Sequence, residues 1–194
     1  MKRSEINRVY LEAKSCFERN NWKLPPGPRW DISDFGLGEF DRSGMVMIHL
    51  AEEPEYCEKL MYCRKNQVTP LHAHTKKKED IICRQGRLAI ELWEGHPYTT
   101  EKGKAFRLKR NGQEVEVHSG DVIMLEAGER VTLTPGLYHA FWGASEECIV
   151  GEISTATDDL NDYHFVNANV GRYPGIEEDE PPLVRLVSET AIFP

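Results

Sequence analysis

Thr69-Pro70-Leu71-His72-Ala73-His74-Thr75-Lys76-Lys77-Lys78-Glu79 is the stretch on which the reading of this 194-residue chain turns. Two histidines two residues apart on an extended stretch leave the same face, because side chains on a strand alternate with period two. They can share one ion. Imidazole nitrogens approach a divalent metal at about 2.1 Å, and Glu79, after a turn, can return on a neighbouring strand as an anionic third ligand. His139, distant in sequence, completes the set if its strand lies beside them. Taken alone, a His-x-His pair is a weak signal, since a strand histidine is more often simply hydrogen-bonded.

Outward from this stretch, short runs rich in β-branched and aromatic residues alternate with turn residues, the spacing of an all-β sandwich or barrel. The predicted strands are Met45 to Leu50, Glu58 to Arg64, Gln67 to His72, Asp80 to Arg84, Arg87 to Trp93, Phe106 to Leu108, Glu114 to Val117, Asp121 to Leu125, Arg130 to Thr134, His139 to Trp142 and Glu147 to Ser154. Asn111-Gly112, Ser119-Gly120 and Pro135-Gly136 supply turns. Upstream, Ile6, Val9, Tyr10, Ala13 and Phe17 recur at helical steps after Ser4, a candidate N-cap. Pro25, Pro26, Gly27 and Pro28 then break the helix, and the chain through Trp30 and Phe35 reads as irregular cover. After Ser154 the strand pattern stops, and the tail carries the acidic run Glu177 to Glu180. The expected organisation is one domain over residues 1–194, with a helix and covering segment over 1–43, a barrel over 44–154 and a tail packed on it over 155–194.

Composition narrows the function classes. The chain is 40% hydrophobic and 29% charged, with a net charge of −8 and no basic block beyond Lys76 to Lys78. A nucleic-acid partner is disfavoured. No stretch approaches the roughly 20 apolar residues of a membrane-spanning helix, so no membrane role is expected and the cytoplasm is the expected compartment. Five cysteines, scattered and without a Cys-x-x-Cys pair, read as reduced, buried thiols.

The arrangement resembles the cupin family. Its first motif, Gly, five residues, His-x-His, three or four residues, Glu, six residues, Gly, is matched by Asn66, His72-Ala73-His74, Glu79 and Gly86. Its second, Gly, five residues, Pro-x-Gly, two residues, His, three residues, Asn, is matched by Gly128, Pro135-Gly136, here preceded by Thr134, His139 and Gly143. Asn66, Thr134 and Gly143 depart from the pattern, at positions not expected to be ligands. The resemblance implies an all-β cupin, a double-stranded β-helix or jelly-roll-like barrel with an N-terminal α-helix, holding one metal ion on His72, His74, Glu79 and His139. Three imidazoles and a carboxylate suit Mn²⁺, Fe²⁺, Co²⁺, Zn²⁺ or Ni²⁺.

More of the chain, including Gly151-Glu152-Ile153-Ser154 and Gly171-Arg172-Tyr173-Pro174-Gly175-Ile176-Glu177, is similar to the D-lyxose isomerase family. That resemblance implies Mn²⁺ and interconversion of D-lyxose with D-xylulose, often also of D-mannose with D-fructose, on a free monosaccharide substrate. Proton transfer between C1 and C2 needs a Lewis acid, a base and a group to shuttle hydroxyl protons. Lys77, matching a lysine of the family motif, is the candidate for stabilising the enediolate or shuttling a proton, against its reading as one of three solvated lysines. Glu152 is one candidate base: alternation puts it on the face of Cys148 and Val150, and if that face is interior, burial is expected to raise its pKa. Glu177, in the tail, is the other, with Arg172 holding substrate hydroxyls. Each has a plain alternative as a solvated charge. A non-haem iron dioxygenase and a non-catalytic sugar-binding cupin are the competing functions, and a homodimer is the expected assembly.

Overall fold

The computed structural model of the chain describes residues 1–155, 158, 161–171 and 174–190. The N-terminal helix, α1 (Arg3–Arg19), buries Ile6, Val9, Ala13 and Phe17, the stripe that the spacing predicts. Its cap differs from expectation. Lys2 occupies the N-cap without a side-chain bond, and Ser4 lies inside the first turn, donating from its amide and hydroxyl to Asp179 at 2.9 and 2.6 Å. A carboxylate from the tail thus satisfies one helix N–H, that of Ser4, which has no partner within the helix. Beside it, the fully buried Arg3 donates to Glu178 at 2.8 Å and to Glu189 at 2.7 Å. Much of the acidic run is therefore bound to the helix start.

The strands follow in chain order as β1 (Arg29–Ser33), β2 (Met45–Glu52), β3 (Tyr56–Arg64), β4 (His72–Ala73), β5 (Glu79–Gln85) and β6 (Arg87–Trp93). Then come β7 (Ala105–Arg110), β8 (Gln113–His118), β9 (Asp121–Glu126), β10 (Arg130–Leu133), β11 (Tyr138–Gly143), β12 (Glu147–Thr155) and β13 (His164–Phe165). One sheet has the order β1-β2-β3-β12-β5-β10-β7-β8 and the other β13-β4-β11-β6-β9. All of the paired strands named here are antiparallel. Met47, Met61, Ile81, Ile90, Leu125 and Phe141 fill the space between the sheets. On the outer face of the larger sheet, Ile32, Val46, Ile48 and Leu60 pack under α1. This is the two-sheet barrel with an N-terminal helix that the strand spacing implies.

Two stretches differ from the sequence reading. The covering segment contains a true strand, β1, which pairs with β2 from Arg29↔His49 to Ser33↔Met45. Conversely, the strand expected from Gln67 contracts to two residues, because the Val68 and Thr69 amides bond outside any ladder, to Arg42 and Phe141 carbonyls, and Pro70 has no N–H to offer.

The motif departures also acquire reasons. Asn66 sits at φ 60°, in the left-handed region where the motif has glycine and where Asn is tolerated. Gly143 replaces the motif's Asn because the backbone of Cys63 and Arg64 runs against it: a Cβ would meet their carbonyl oxygens at 2.9 and 2.8 Å.

At the β1–β2 edge, the buried His49 places Nδ1 2.5 Å from Glu52 and Nε2 3.5 Å from Asp31. Burial opposes the imidazolium, but the Asp31 and Glu52 carboxylates outweigh it despite nearby Lys59, so its pKa is raised. The His49 contact, with help from Arg29, lowers Glu52 from 4.5 to about 2. The raised group stabilises fully below 6.5 and loses its effect as pH rises through its folded value. The depressed one stabilises above 4.5 and loses its effect as pH falls towards 2. The stability gap between wild type and His49→Gln is therefore widest from about pH 4.5 to 6.5, as urea titrations across pH will show.

Candidate metal centre and active site

His72 on β4, His74 just beyond it and His139 on β11 converge inside the barrel, all buried. One ring nitrogen from each lies within 4.8 Å of the others. The register explains the convergence: His139 stands directly opposite His72 across β11 and β4, and a two-residue step returns His74 to the same side. Glu79, the first residue of β5, brings Oε1 to 3.2 Å from His139 Nε2 and 3.8 Å from His74 Nε2.

Each imidazole is held from behind by a backbone carbonyl. His72 Nδ1 donates to Pro70 O at 2.8 Å, His74 Nδ1 to Asp162 O at 2.7 Å and His139 Nδ1 to Leu137 O at 3.2 Å. A carbonyl only accepts, so in His72 and His74 Nδ1 carries the hydrogen and Nε2 keeps its lone pair for the interior, while His139 Nε2 faces the Glu79 carboxylate. His74 Nε2 is buried without a hydrogen-bond partner, a costly arrangement unless something else fills the position. Burial, followed by repulsion from His139 and His74, holds His72 well below its ordinary pKa. Burial likewise lowers His74 to about 4. Three converging imidazoles, two of them with lowered pKa values, a carboxylate beside them and an orphaned inward lone pair fit a divalent cation. This group can hold a metal.

Lys77 is not a solvated turn lysine. Its neighbours Lys76 and Lys78 are exposed, while Lys77 is 2% exposed and its ammonium lies 2.7 Å from Glu79 Oε2 and 2.9 Å from Glu152 Oε1. Glu152 on β12 faces the interior beside the buried Cys148 and Val150, as alternation predicts. Its cross-strand neighbour on β3 is the fully buried Lys59, at 4.0 Å. The expected rise in the Glu152 pKa does not occur. Burial pushes it up, but Lys77 and then Lys59 outweigh burial and lower it. By the same balance Lys77 keeps Glu79 well below, and the two carboxylates keep Lys77 well above, their ordinary ranges. The pocket therefore contains an ionised carboxylate in contact with an ammonium, next to the histidine group.

The tail supplies the remaining wall. Tyr163 stacks on His72 at 5.2 Å and meets His74 edge-on at 4.5 Å. Phe165 stacks behind Tyr163, and Phe35 packs on Phe165 from the covering segment. Tyr163 and Phe35, with Met47, Met61, Ile81 and Phe141, line a cavity of ≈ 20 Å³ beside the histidines, Lys77 and Glu152, far smaller than the roughly 300 Å³ at which ligand pockets begin. The Asp162 carboxylate, buried next to Tyr163, bonds the 75–77 turn. Asp162, Tyr163, Phe165, Phe35 and Lys59 were not legible as site residues, because none has a fixed spacing from the histidine motifs.

Other candidates lie elsewhere. Glu177 is exposed, and its described contacts join the tail to the helix start: its carbonyl accepts from the Arg3 amide at 2.8 Å. It is not brought together with Lys77 and Glu152. Arg172 lies outside the described residues. His164 is exposed, between the two inward aromatics. All five cysteines are buried, and none forms a disulfide. Among the described residues, no helix is long and apolar enough to cross a membrane.

Fold and site together define a cupin-like barrel able to hold a metal ion. Solved structures share the fold: the L-ribose isomerase of Acinetobacter sp. DL28 in complex with L-ribose, at TM-score 0.67 and 16% identity, and that of Cellulomonas parahominis with L-psicose, at 0.68 and 18%. Each comparison covers 91% of this chain and 98% of the other. The D-lyxose isomerase family model matches residues 27–190. D-lyxose/D-mannose isomerases of Serratia proteamaculans and Escherichia coli O157:H7 are 33% and 32% identical to the chain, covering all of it and 99% and 100% of their own lengths. The chain belongs to the D-lyxose isomerase family. It is a sugar isomerase, and the dioxygenase and non-catalytic readings give way to that membership.

Proposed function

We propose that the protein interconverts D-lyxose with D-xylulose, and D-mannose with D-fructose, using one divalent ion held by His72, His74, His139 and Glu79, with Mn²⁺ as the natural choice. The observation that carries this reading is the contact of Lys77 with both Glu79 and Glu152 beside three imidazoles whose Nε2 atoms face inward. A bound ion supplies electrophilic polarisation of the sugar carbonyl and its neighbouring hydroxyl. Glu152, already ionised, takes the proton from C2 of the aldose and returns it to C1, which leaves the carboxylate unchanged over the cycle. Lys77 balances the negative charge that grows on the sugar oxygens and passes the hydroxyl proton from O2 to O1. Tyr163, Phe165 and Phe35 exclude water from the reacting carbons.

Incubation of the Mn²⁺-loaded chain with D-lyxose or D-mannose is expected to give the ketose, read by NMR. Chelation with EDTA is expected to abolish turnover, and added Mn²⁺ to restore it. Turnover that persists through exhaustive chelation, or no ketose from either sugar with any of the five ions, would sink the proposal.

A further inference from the structure

We infer that Asp162 is a positioning residue: docking of the tail through this one side chain and its carbonyl sets the His74 imidazole and the Lys77 ammonium in place. The inference rests on the roles given above to the histidine group and Lys77. Asp162 is 2% exposed. Its backbone carbonyl is the acceptor for His74 Nδ1 at 2.7 Å, the bond that leaves His74 Nε2 bare. Its carboxylate meets three successive amides of the turn joining β4 to β5. Oδ1 accepts from Thr75 N at 2.9 Å, Thr75 Oγ1 at 2.7 Å and Lys76 N at 3.0 Å, and Oδ2 accepts from Lys77 N at 3.0 Å.

Consecutive amides aimed at one point form a concavity for an anion, and here the anion is a side chain 85 residues further along the chain. Hydrogen bonds to an ionised acceptor are about twice as strong as neutral ones. The curl they impose is what turns Lys77 inward between the exposed Lys76 and Lys78. The next residue, Tyr163, lies over the His72 and His74 rings, with the Lys77 ammonium 5.7 Å from its ring centre. Tail docking therefore orients one candidate ligand, aims one candidate catalytic group and covers both in a single event.

The test uses the full chain with Asp162→Ala and the milder Asp162→Asn. In metal-free wild type, long-range ¹H–¹⁵N spectra of the imidazoles are expected to show His74 with its hydrogen on Nδ1. In Asp162→Ala the tail loses its anchor and His74 becomes a mixture of the two tautomers. Calorimetry with Mn²⁺ is expected to show affinity reduced about 10–100-fold, the usual effect of losing support behind a ligand, with Asp162→Asn falling between. Should the alanine variant not fold, the asparagine variant carries both measurements. A wild-type tautomer in the folded variant, or a wild-type Mn²⁺ affinity, overturns the inference. If wild type itself binds no Mn²⁺, the metal reading fails, and the tautomer measurement alone decides the role of Asp162.

Discussion

Glu152→Gln is expected to lower kcat by about 10²–10⁴-fold, the range that a positioned general base contributes, while Mn²⁺ affinity stays at the wild-type level. The substitution keeps size and shape but removes the basic oxygen. Glu152 lies outside the three-histidine group, and its contacts are with the ammonium groups of Lys77 and Lys59. Lys77 retains Glu79 as a partner in the variant, so the turn that carries it has no reason to unfold. Because a base acts on the transition state more than on bound sugar, kcat and kcat/KM should fall together. An unchanged kcat in a folded, Mn²⁺-binding variant would remove Glu152 from the mechanism and return the search to the other carboxylates.

Lys77→Met is expected to destabilise the metal-free chain by about 3–5 kcal/mol, the cost of stripping one partner from a buried ionic cluster. Glu79 and Glu152 are 3% and 4% exposed, and both depend on Lys77 for charge balance, with Lys59 near only the second. Methionine fills the volume, so the loss reports charge rather than packing. Urea denaturation measures it, and the deficit should shrink with Mn²⁺ present, since a cation bound to the native state replaces part of the missing charge. Equal stability of variant and wild type without metal would show that the carboxylates do not rely on this lysine.

Much of this site was readable from local pattern. Period two at His72 and His74 puts both on one face, but continued it would send Lys77 to the opposite face; its inward turn comes from the 75–77 turn that Asp162 binds. Alternation on β12 places Glu152 beside Cys148 and Val150. What pattern does not show is how charges sum once strands pair. Burial of Glu152 was legible, but the downward direction of its pKa comes from Lys77 first and then from Lys59, one brought up by the 75–77 turn and the other by the register of β3 with β12. Likewise, β1 follows a Pro-Gly-rich stretch and precedes Gly36 and Gly38, so its five residues look irregular until β2 supplies the partner edge. Asp162 was one acid among several in the tail. Its importance comes from the turn that meets it.

The clasp at the helix start bears on how the chain is made. Arg3 is bonded to residues 175 and 186 positions later, and the Ser4 hydroxyl to one 175 positions later. At about 5–20 residues per second of synthesis, the partner of Arg3 at Glu189 leaves the ribosome roughly 10–40 s after Arg3 itself. For most of that interval Ser4 lacks Asp179 and Arg3 lacks Glu178 and Glu189, and the part of the cover over α1 that Ile149 and Leu186 supply is still to come. The first element made is among the last to be finished.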